Sequence, residues 1–214
     1  MHYAILFEHP DCFSALLDCD RICINSSNNL PRTPFEFALD HFQLESLSSL
    51  LKYAYSSFTE TEFPLHHAII NDDIGAVSTL LSDPSIDANS TDNNRCTPLL
   101  AAVILNKPEM IRLLLQHNSL IVNRQYLDDN TVLHYATYFG YTACVQELLQ
   151  HPSIDTSLAN EYFNTPLDLA FSQSSIACID FSSGLEIDTH AAETSLGNKF
   201  WILRLVLLSH LSIC

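Results

Sequence analysis

Glycine and basic residues are both scarce in this chain of 214 residues. It contains four glycines and nine lysines and arginines, against 25 aspartates and glutamates. Common catalytic motifs are also missing: there is no Gly-rich phosphate loop, no His-Glu-x-x-His pair and no signature of a serine or cysteine nucleophile. We therefore expect a non-catalytic protein without a cofactor. A catalytic group assembled only in three dimensions would leave no such local motif.

The shortage of basic residues leaves a formal net charge of -16, which is spread along the chain. Such a field repels nucleic-acid phosphates, so we expect no nucleic-acid partner. The same field attracts basic protein surfaces, and a basic partner is one interpretation of it. The alternative is that the acidity only keeps the protein soluble.

The seven cysteines form no recognisable disulfide or metal pattern. Their number is odd, their spacing is irregular, and no leading apolar segment resembles a signal peptide. These features favour a reducing, cytoplasmic environment. Cys19 and Cys23, with His2 and His9 nearby, come nearest to a zinc-ligand spacing, but no second pair of cysteines completes four ligands. We expect no metal site and place these cysteines in loops or at helix ends.

A pair of leucines returns along the chain at a nearly constant interval. Successive pairs are 34, 30, 34 and 34 residues apart. A period between about 20 and 50 residues is typical of arrays whose units bury their apolar faces by stacking on one another. The pairs are Leu16-Leu17, Leu50-Leu51, Leu80-Leu81, Leu114-Leu115 and Leu148-Leu149.

A short motif keeps the same register as the leucine pairs. Its copies are Met1-His2, Thr33-Pro34-Phe35-Glu36, Phe63-Pro64-Leu65-His66, Thr97-Pro98-Leu99-Leu100, Thr131-Val132-Leu133-His134 and Thr165-Pro166-Leu167-Asp168. The motif resembles the Thr-Pro-Leu-His-x-Ala signature of the ankyrin repeat. The resemblance implies an all-α solenoid of helix-turn-helix units joined by short hairpin loops. It also implies that the motif histidines bond to neighbouring turns, and it places repeats at about 1–28, 29–58, 59–92, 93–126, 127–160 and 161–171.

Proline and the helix-ending residues predict the helix boundaries. Proline at the first helical position loses only an amide that has no partner there. First helices should therefore begin at Pro34, Pro64, Pro98 and Pro166, and second helices at Pro10 and Pro108. First helices should end at Asp72, Asn106 and Gly140, which are residue types that tolerate a left-handed backbone.

The glycine that ankyrin hairpins carry two residues before Thr-Pro is absent from every copy. Its slot holds Pro31, Thr61, Arg95, Asp129 and Phe163. We expect irregular hairpins in which the residues best suited to a positive φ replace glycine, namely Asn93, Asn94, Asp128 and Asp129. Repeat two, with its shorter spacing, should lack hairpin residues between Tyr53 and Glu62.

The resemblance also implies a binding surface, made of hairpin tips and two exposed positions near the end of each first helix. In repeats four and five those positions hold Ile104, Leu105, Tyr138 and Phe139, which we expect side by side on the concave face. The flanking hairpin residues are Tyr126, Leu127, Tyr162 and Phe163, rimmed by Asp128, Asp129 and Glu161. Exposed aromatic residues with a polar rim are typical of a protein-binding hot spot. The alternative is that these rings fold back onto the hairpins and fill space.

The end of the chain departs from the repeat. Residues 172–199 are expected to form an insertion or loop, and residues 200–214 an apolar helix that completes the last repeat. The twelve-residue run Phe200–Leu211 is too short for a membrane span, which needs about 20 apolar residues. It is instead covered by the insertion, contacts a partner or second copy, or marks the edge of a longer protein.

These observations favour a non-catalytic module that presents a rigid concave surface to a protein partner. We place it in the cytoplasm or, as an effector, inside a host cell. Two alternatives remain: the targeting domain of a larger enzyme, and a scaffold that self-associates as a homodimer through Phe200–Leu211.

Overall fold

A computed structural model describes residues 1–7, 9–17, 19, 32–57 and 62–173. Within these ranges the ordered elements are helical, with no strand. The chain divides into two compact units, residues 1–121 and 122–214. The expected insertion beyond residue 173, the apolar run Phe200–Leu211, and Cys23, Pro31 and Thr61 lie outside the described residues.

The first unit contains four pairs of helices in its described part. Each pair consists of a first helix and a second helix, joined by a short turn. They are α1 (His2–Leu6), α2 (Pro10–Leu17), α3 (Pro34–Asp40), α4 (Leu44–Ser57), α5 (Pro64–Ile70), α6 (Ile74–Leu81), α7 (Pro98–Ile104) and α8 (Pro108–Leu115).

The helices of the first unit begin where proline predicts. Thr33 accepts a hydrogen bond from the Glu36 amide at 3.2 Å and so caps α3, and Thr97 does the same for the Leu100 amide before α7. The turns after α5 and α7 carry positive φ at Asp72 (62°) and Asn106 (51°). The predicted starts and stops are therefore confirmed. Phe42, with a φ of 50°, ends α3 in the same way although its residue type gave no signal.

In the first unit, first helices pack on first helices and second helices on second helices, and α4 makes additional contacts. First helices pack in sequence as α1 on α3 and α5 on α7, while α2 packs on α4 and α6 on α8. Helix α4 is 14 residues long, whereas α3 has seven, and it packs against both α5 and α7. The segment from Tyr53 to Ser57, expected beside a shortened hairpin, continues this helix. The short spacing of repeat two thus coincides with a lengthened second helix.

The described part of the second unit, residues 122–173, contains α9 (Val132–Tyr138), α10 (Thr142–Gln150) and α11 (Pro166–Gln173), with one 3-10 turn at Leu127–Asp129. Helix α9 packs against α10 and α11. Its core includes Leu133, Tyr135 and Leu148, all fully buried. Gly140 has a φ of 70° and ends the first helix of this repeat as predicted. Helix α11 begins at Pro166 and extends two residues into the segment assigned to the insertion.

The residue in the missing-glycine slot adopts the left-handed backbone itself. The φ values are 60° at Arg95, 58° at Asp129 and 61° at Phe163. Asp128 is also left-handed, so the prediction for Asp128 and Asp129 is confirmed. The prediction for Asn93 and Asn94 is wrong, because Arg95 takes that conformation instead.

A side-chain oxygen at the start of the hairpin explains how residues with a Cβ are held there. Asp92 Oδ1 accepts hydrogen bonds from the amides of Asn94 and Cys96, both at 2.8 Å. At the equivalent place in the second unit, Asn160 Oδ1 accepts from the amides of Tyr162 at 3.1 Å and Asn164 at 2.9 Å. Such local bonds are typical of turns built by Asp and Asn.

The motif histidines link successive repeats. Nε2 of His2, His66 and His134 lies 3.0 Å from a backbone carbonyl 30 residues further along the chain. Because a carbonyl only accepts, each ring donates through Nε2. The structural role predicted for these histidines is confirmed. The carbonyls belong to Arg32, Cys96 and Asn164 respectively.

Candidate protein-binding surface

Five aromatic rings form a continuous row on the second unit. Tyr126 meets Tyr135 edge to face at 6.3 Å, and Tyr135 stacks on Phe139 at 6.3 Å between ring centroids. Phe139 then contacts Tyr138 at 5.9 Å and Tyr141 at 5.7 Å. Tyr135 is fully buried, whereas Tyr138 and Phe139 are half-buried. Phe139 therefore both packs against the core and presents part of its ring to solvent.

The tip of the following hairpin carries the most exposed aromatic pair of the described second unit. Tyr162 is 63% exposed and Phe163 is 88% exposed. The two Asn160 bonds described above, together with a hydrogen bond from the Asn160 amide to the Asn164 carbonyl at 2.9 Å, fix the backbone of this tip. The pair thus projects from an ordered turn.

Two adjacent hairpins of the second unit are bonded to each other. The Glu161 amide donates to the Asp128 carbonyl at 2.8 Å, and Asn160 Nδ2 donates to Asn130 Oδ1 at 2.9 Å. Asn130 and Asn160 are buried, so the second bond lies under the surface. These contacts hold the exposed residues of both tips in one arrangement. We call Asp129, Glu161, Tyr162 and Phe163 the hairpin surface.

The described part of the second unit carries almost only negative charge. Residues 122–173 carry six acidic side chains and one arginine, Arg124. Asp129 and Glu161 are exposed, whereas Asp128 is only 9% exposed, so the expectation that Asp128 lies on the exposed rim is wrong. Hydrogen bonds from the hydroxyl and amide of Ser157 hold the pKa of Asp155 below its usual value, so this carboxylate stays ionised.

The predicted residues of the concave face are only partly accessible. Ile104 is 1% exposed, so the expectation that it faces solvent is wrong: the side chain is part of the core of α7. Leu105 is half-buried. Both belong to the first unit and Tyr138 and Phe139 to the second, so their side-by-side arrangement stays a prediction.

Two features escaped the sequence reasoning. Tyr3 on α1 and Phe7, which caps the end of α1, are 77% and 61% exposed and stack at 6.3 Å. Phe7 occupies the same repeat position as Leu105 and Phe139, which is the signal that could have found it. Asn89 and Asn123, 34 residues apart, each bridge two backbone groups of a following loop at 2.7–2.9 Å.

No set of three metal-ligating side chains occurs in the described part of the chain. None of its helices is long and apolar enough to cross a membrane.

Comparison with known proteins supports the repeat assignment. A sequence model of ankyrin repeats in three copies matches residues 53–126, and a single-repeat model matches residues 128–161. Together they cover just over half of the chain. Ankyrin repeats generally serve as protein-protein interaction modules and are typically non-catalytic.

Relatives of this chain include the mouse (Mus musculus) B-cell lymphoma 3 protein homolog, 28% identical over 200 residues, 83% of this chain and 43% of that protein. The chain thus spans less than half of this relative's length. The solved ankyrin repeat domain of Bcl-3, a member of the IkappaB family, is 26% identical over 78% of this chain and 75% of that one, with a TM-score of 0.46. An ankyrin repeat domain from Acinetobacter baumannii is 17% identical over 98% and 96%, with a TM-score of 0.48.

The helix pairs, the phased motif with its bridging histidines, and the matching sequence models agree. The chain belongs to the ankyrin-repeat family.

Proposed function

We propose that this chain is a non-catalytic interaction module whose second unit binds a basic protein segment through the hairpin surface. The observation that carries the proposal is Phe163, an aromatic residue that combines a φ of 61° with 88% exposure. It stands where the ankyrin pattern has glycine.

Phe163 adopts a strained backbone conformation, but its exposed ring contributes little to the stability of the unbound chain. A bulky residue in the left-handed region is strained by roughly 1 kcal/mol or more relative to glycine. If the ring packed against other residues of the chain, its burial would offset that strain, but the ring is almost fully exposed to water. The Asn160 bonds hold the backbone in this conformation, but the exposed ring adds little to that support. Strained residues held in this way are found most often at binding and catalytic sites.

The partner chemistry follows from the residues around the ring. Tyr162 adds a second exposed ring beside Phe163, and aromatic faces attract arginine and lysine side chains at up to about 6 Å. Asp129 and Glu161 supply carboxylates on the two bonded tips. A segment with arginine or lysine next to an apolar residue satisfies both features.

The test compares the native chain with two variants in an affinity capture from eukaryotic lysate, read by mass spectrometry. Phe163→Gly with Tyr162→Ser removes both rings, and glycine suits the positive φ, so the fold should stay intact. We expect basic proteins held by the native chain to be lost from this variant. Arg95→Gly is the matched control, because it makes the same replacement in the same slot of the first unit and should retain them. Identical retention by all three would exclude the hairpin surface.

The concave positions extend the proposal. Tyr138, half-buried at the end of α9, offers a partner its outer edge, and Tyr138→Ala should weaken capture less than loss of Phe163. Phe139 is less suitable for this test because it stacks on the buried Tyr135. A host-targeting effector is the finer form of the proposal. It is supported by the glycine-poor repeats and would be tested by the identity of the captured protein.

A further inference from the structure

His66 lies in a buried polar cluster of the first unit. Its ring is fully buried, and Nε2 donates to the Cys96 carbonyl at 3.0 Å. Nδ1 has no hydrogen-bond partner among the described residues. Neighbouring His67, 9% exposed, likewise leaves Nε2 without a partner there. Buried polar atoms of this kind are uncommon in folded proteins and call for a physical explanation.

The explanation is a single replacement in the repeat motif. Where repeat five has Thr131, which donates through its amide (3.1 Å) and its hydroxyl (2.8 Å) to Nδ1 of His134, repeat three has Phe63. The Phe63 ring instead meets the His66 ring edge to face at 5.8 Å. An aromatic side chain therefore takes the place of the hydroxyl that would bond to Nδ1.

The residues around His66 provide little stabilisation for a protonated, positively charged ring. Tyr55 from α4 stacks on it at 5.6 Å and donates to Asp92 Oδ2 at 3.0 Å. Asp92 is the charged group that faces His66 from the hairpin before α7, and its oxygens already accept three hydrogen bonds. His67 is the titratable neighbour on α5 itself, and the buried Cys96 thiol stays neutral because burial raises its pKa. Helices α6 and α7 contribute no titratable side chain.

We propose that the junction of α4, α5 and α7, held together by Tyr55, His66 and Asp92, is an acid-sensitive joint that opens when His66 is protonated at Nδ1. The proton would create a second donor in a place with no acceptor. Burial outweighs the nearby Asp92 charge and lowers the pKa of His66, so the open form takes up the proton more readily than the closed form. The closed form is thus fully favoured above about pH 6.5 and weakens as the pH falls below it.

The inference is independent of the proposed function because it concerns the first unit alone. Amide hydrogen exchange of the full chain, corrected for intrinsic rates, would be compared at pH 7.5 and 5.5. One histidine of ordinary pKa in the open form raises the opening constant of α5 by up to about tenfold over this range. Unchanged protection of α5 in the native chain would overturn the proposal without any variant.

Two substitutions assign the effect to His66. His66→Leu places in this slot the residue that repeat four has as the buried Leu100, and it should make α5 protection independent of pH in this range. His134→Leu is the control and should leave the pH response of α5 unchanged. Equal acid opening in native and His66→Leu proteins would refute the role of His66.

Discussion

His66 and His134 occupy the same position of two repeats, yet only one of them is fully bonded. His134 accepts from Thr131 through Nδ1 and donates to the Asn164 carbonyl through Nε2. His66 keeps the bond to the next hairpin but lacks the first, since Phe63 replaces threonine. Both histidines therefore keep the link to the next hairpin, while the bond that orients the ring within its own repeat is present only at His134.

The surroundings of the two rings differ in the same sense. Around His134 the helices follow the regular stacking order of first helix on first helix, α9 on α11. Around His66 the lengthened α4 reaches α5 and α7, and aromatic contacts from Tyr55 and Phe63 replace the missing hydrogen bond. An irregular repeat is thus held more by ring packing and less by directional bonds.

The largest expected effect is a difference in stability between two variants, His134→Leu and His66→Leu. His134→Leu removes three hydrogen bonds and leaves the buried Thr131 amide without its partner, while the Asn164 carbonyl keeps only its bond from the Asn160 amide. We expect a loss of about 2–4 kcal/mol in the free energy of unfolding, whereas His66→Leu removes one bond and should lose about 1 kcal/mol. Urea denaturation of both variants measures the difference. Equal losses would show that the Thr131 bonds contribute nothing.

The next effect concerns pH. Burial lowers the pKa of both His66 and His134, so the unfolded chain binds protons that the native chain does not. Stability should be level above about pH 6.5 and fall below it, by up to about 1.4 kcal/mol per histidine at pH 5.5. Chemical denaturation at several pH values checks this. The double variant His66→Leu with His134→Leu should show a flatter profile, and an unchanged slope would assign the loss to the carboxylates instead.

The fold was largely predictable because its signals are local. Proline at the first helical position and Asp, Asn or Gly at the stop act through their own backbone preferences, and Pro98, Asn106 and Gly140 do what their types favour. Phe42 and Arg95 could not be found in this way. Their positive φ is imposed by the hairpin and helix pair around them, against the preference of the residue.

The candidate site was less predictable, since exposure depends on what packs nearby. Leu6, Ile104 and Tyr138 share one repeat position, yet they are respectively exposed, buried and half-buried. The residue types alone do not predict which of the three side chains is buried. Tyr162 and Phe163 are exposed as expected, whereas Tyr126 and Leu127 of the preceding hairpin are half-buried.

The smallest expected effect concerns two positions with a left-handed backbone. Arg95 lies in the hairpin position where ankyrin repeats have glycine, and Gly140 lies at the end of a first helix. Arg95→Gly relieves a φ of 60° at a side chain that is 81% exposed. Its ion pair with Glu36 is long, at 3.7 Å, and the guanidinium lies in water, so we expect the pair to contribute little. We expect the free energy of unfolding to rise by about 0.5 kcal/mol. The gain is smaller than the strain that is relieved, because glycine also gives the unfolded chain more conformational freedom. Gly140→Ala makes the opposite change at a φ of 70° and should lose about 1 kcal/mol. Opposite shifts of the two midpoints in urea would show that the missing glycines are a stability deficit of the fold. Two losses would mean that the hairpin has adapted to Arg95 beyond its backbone angle.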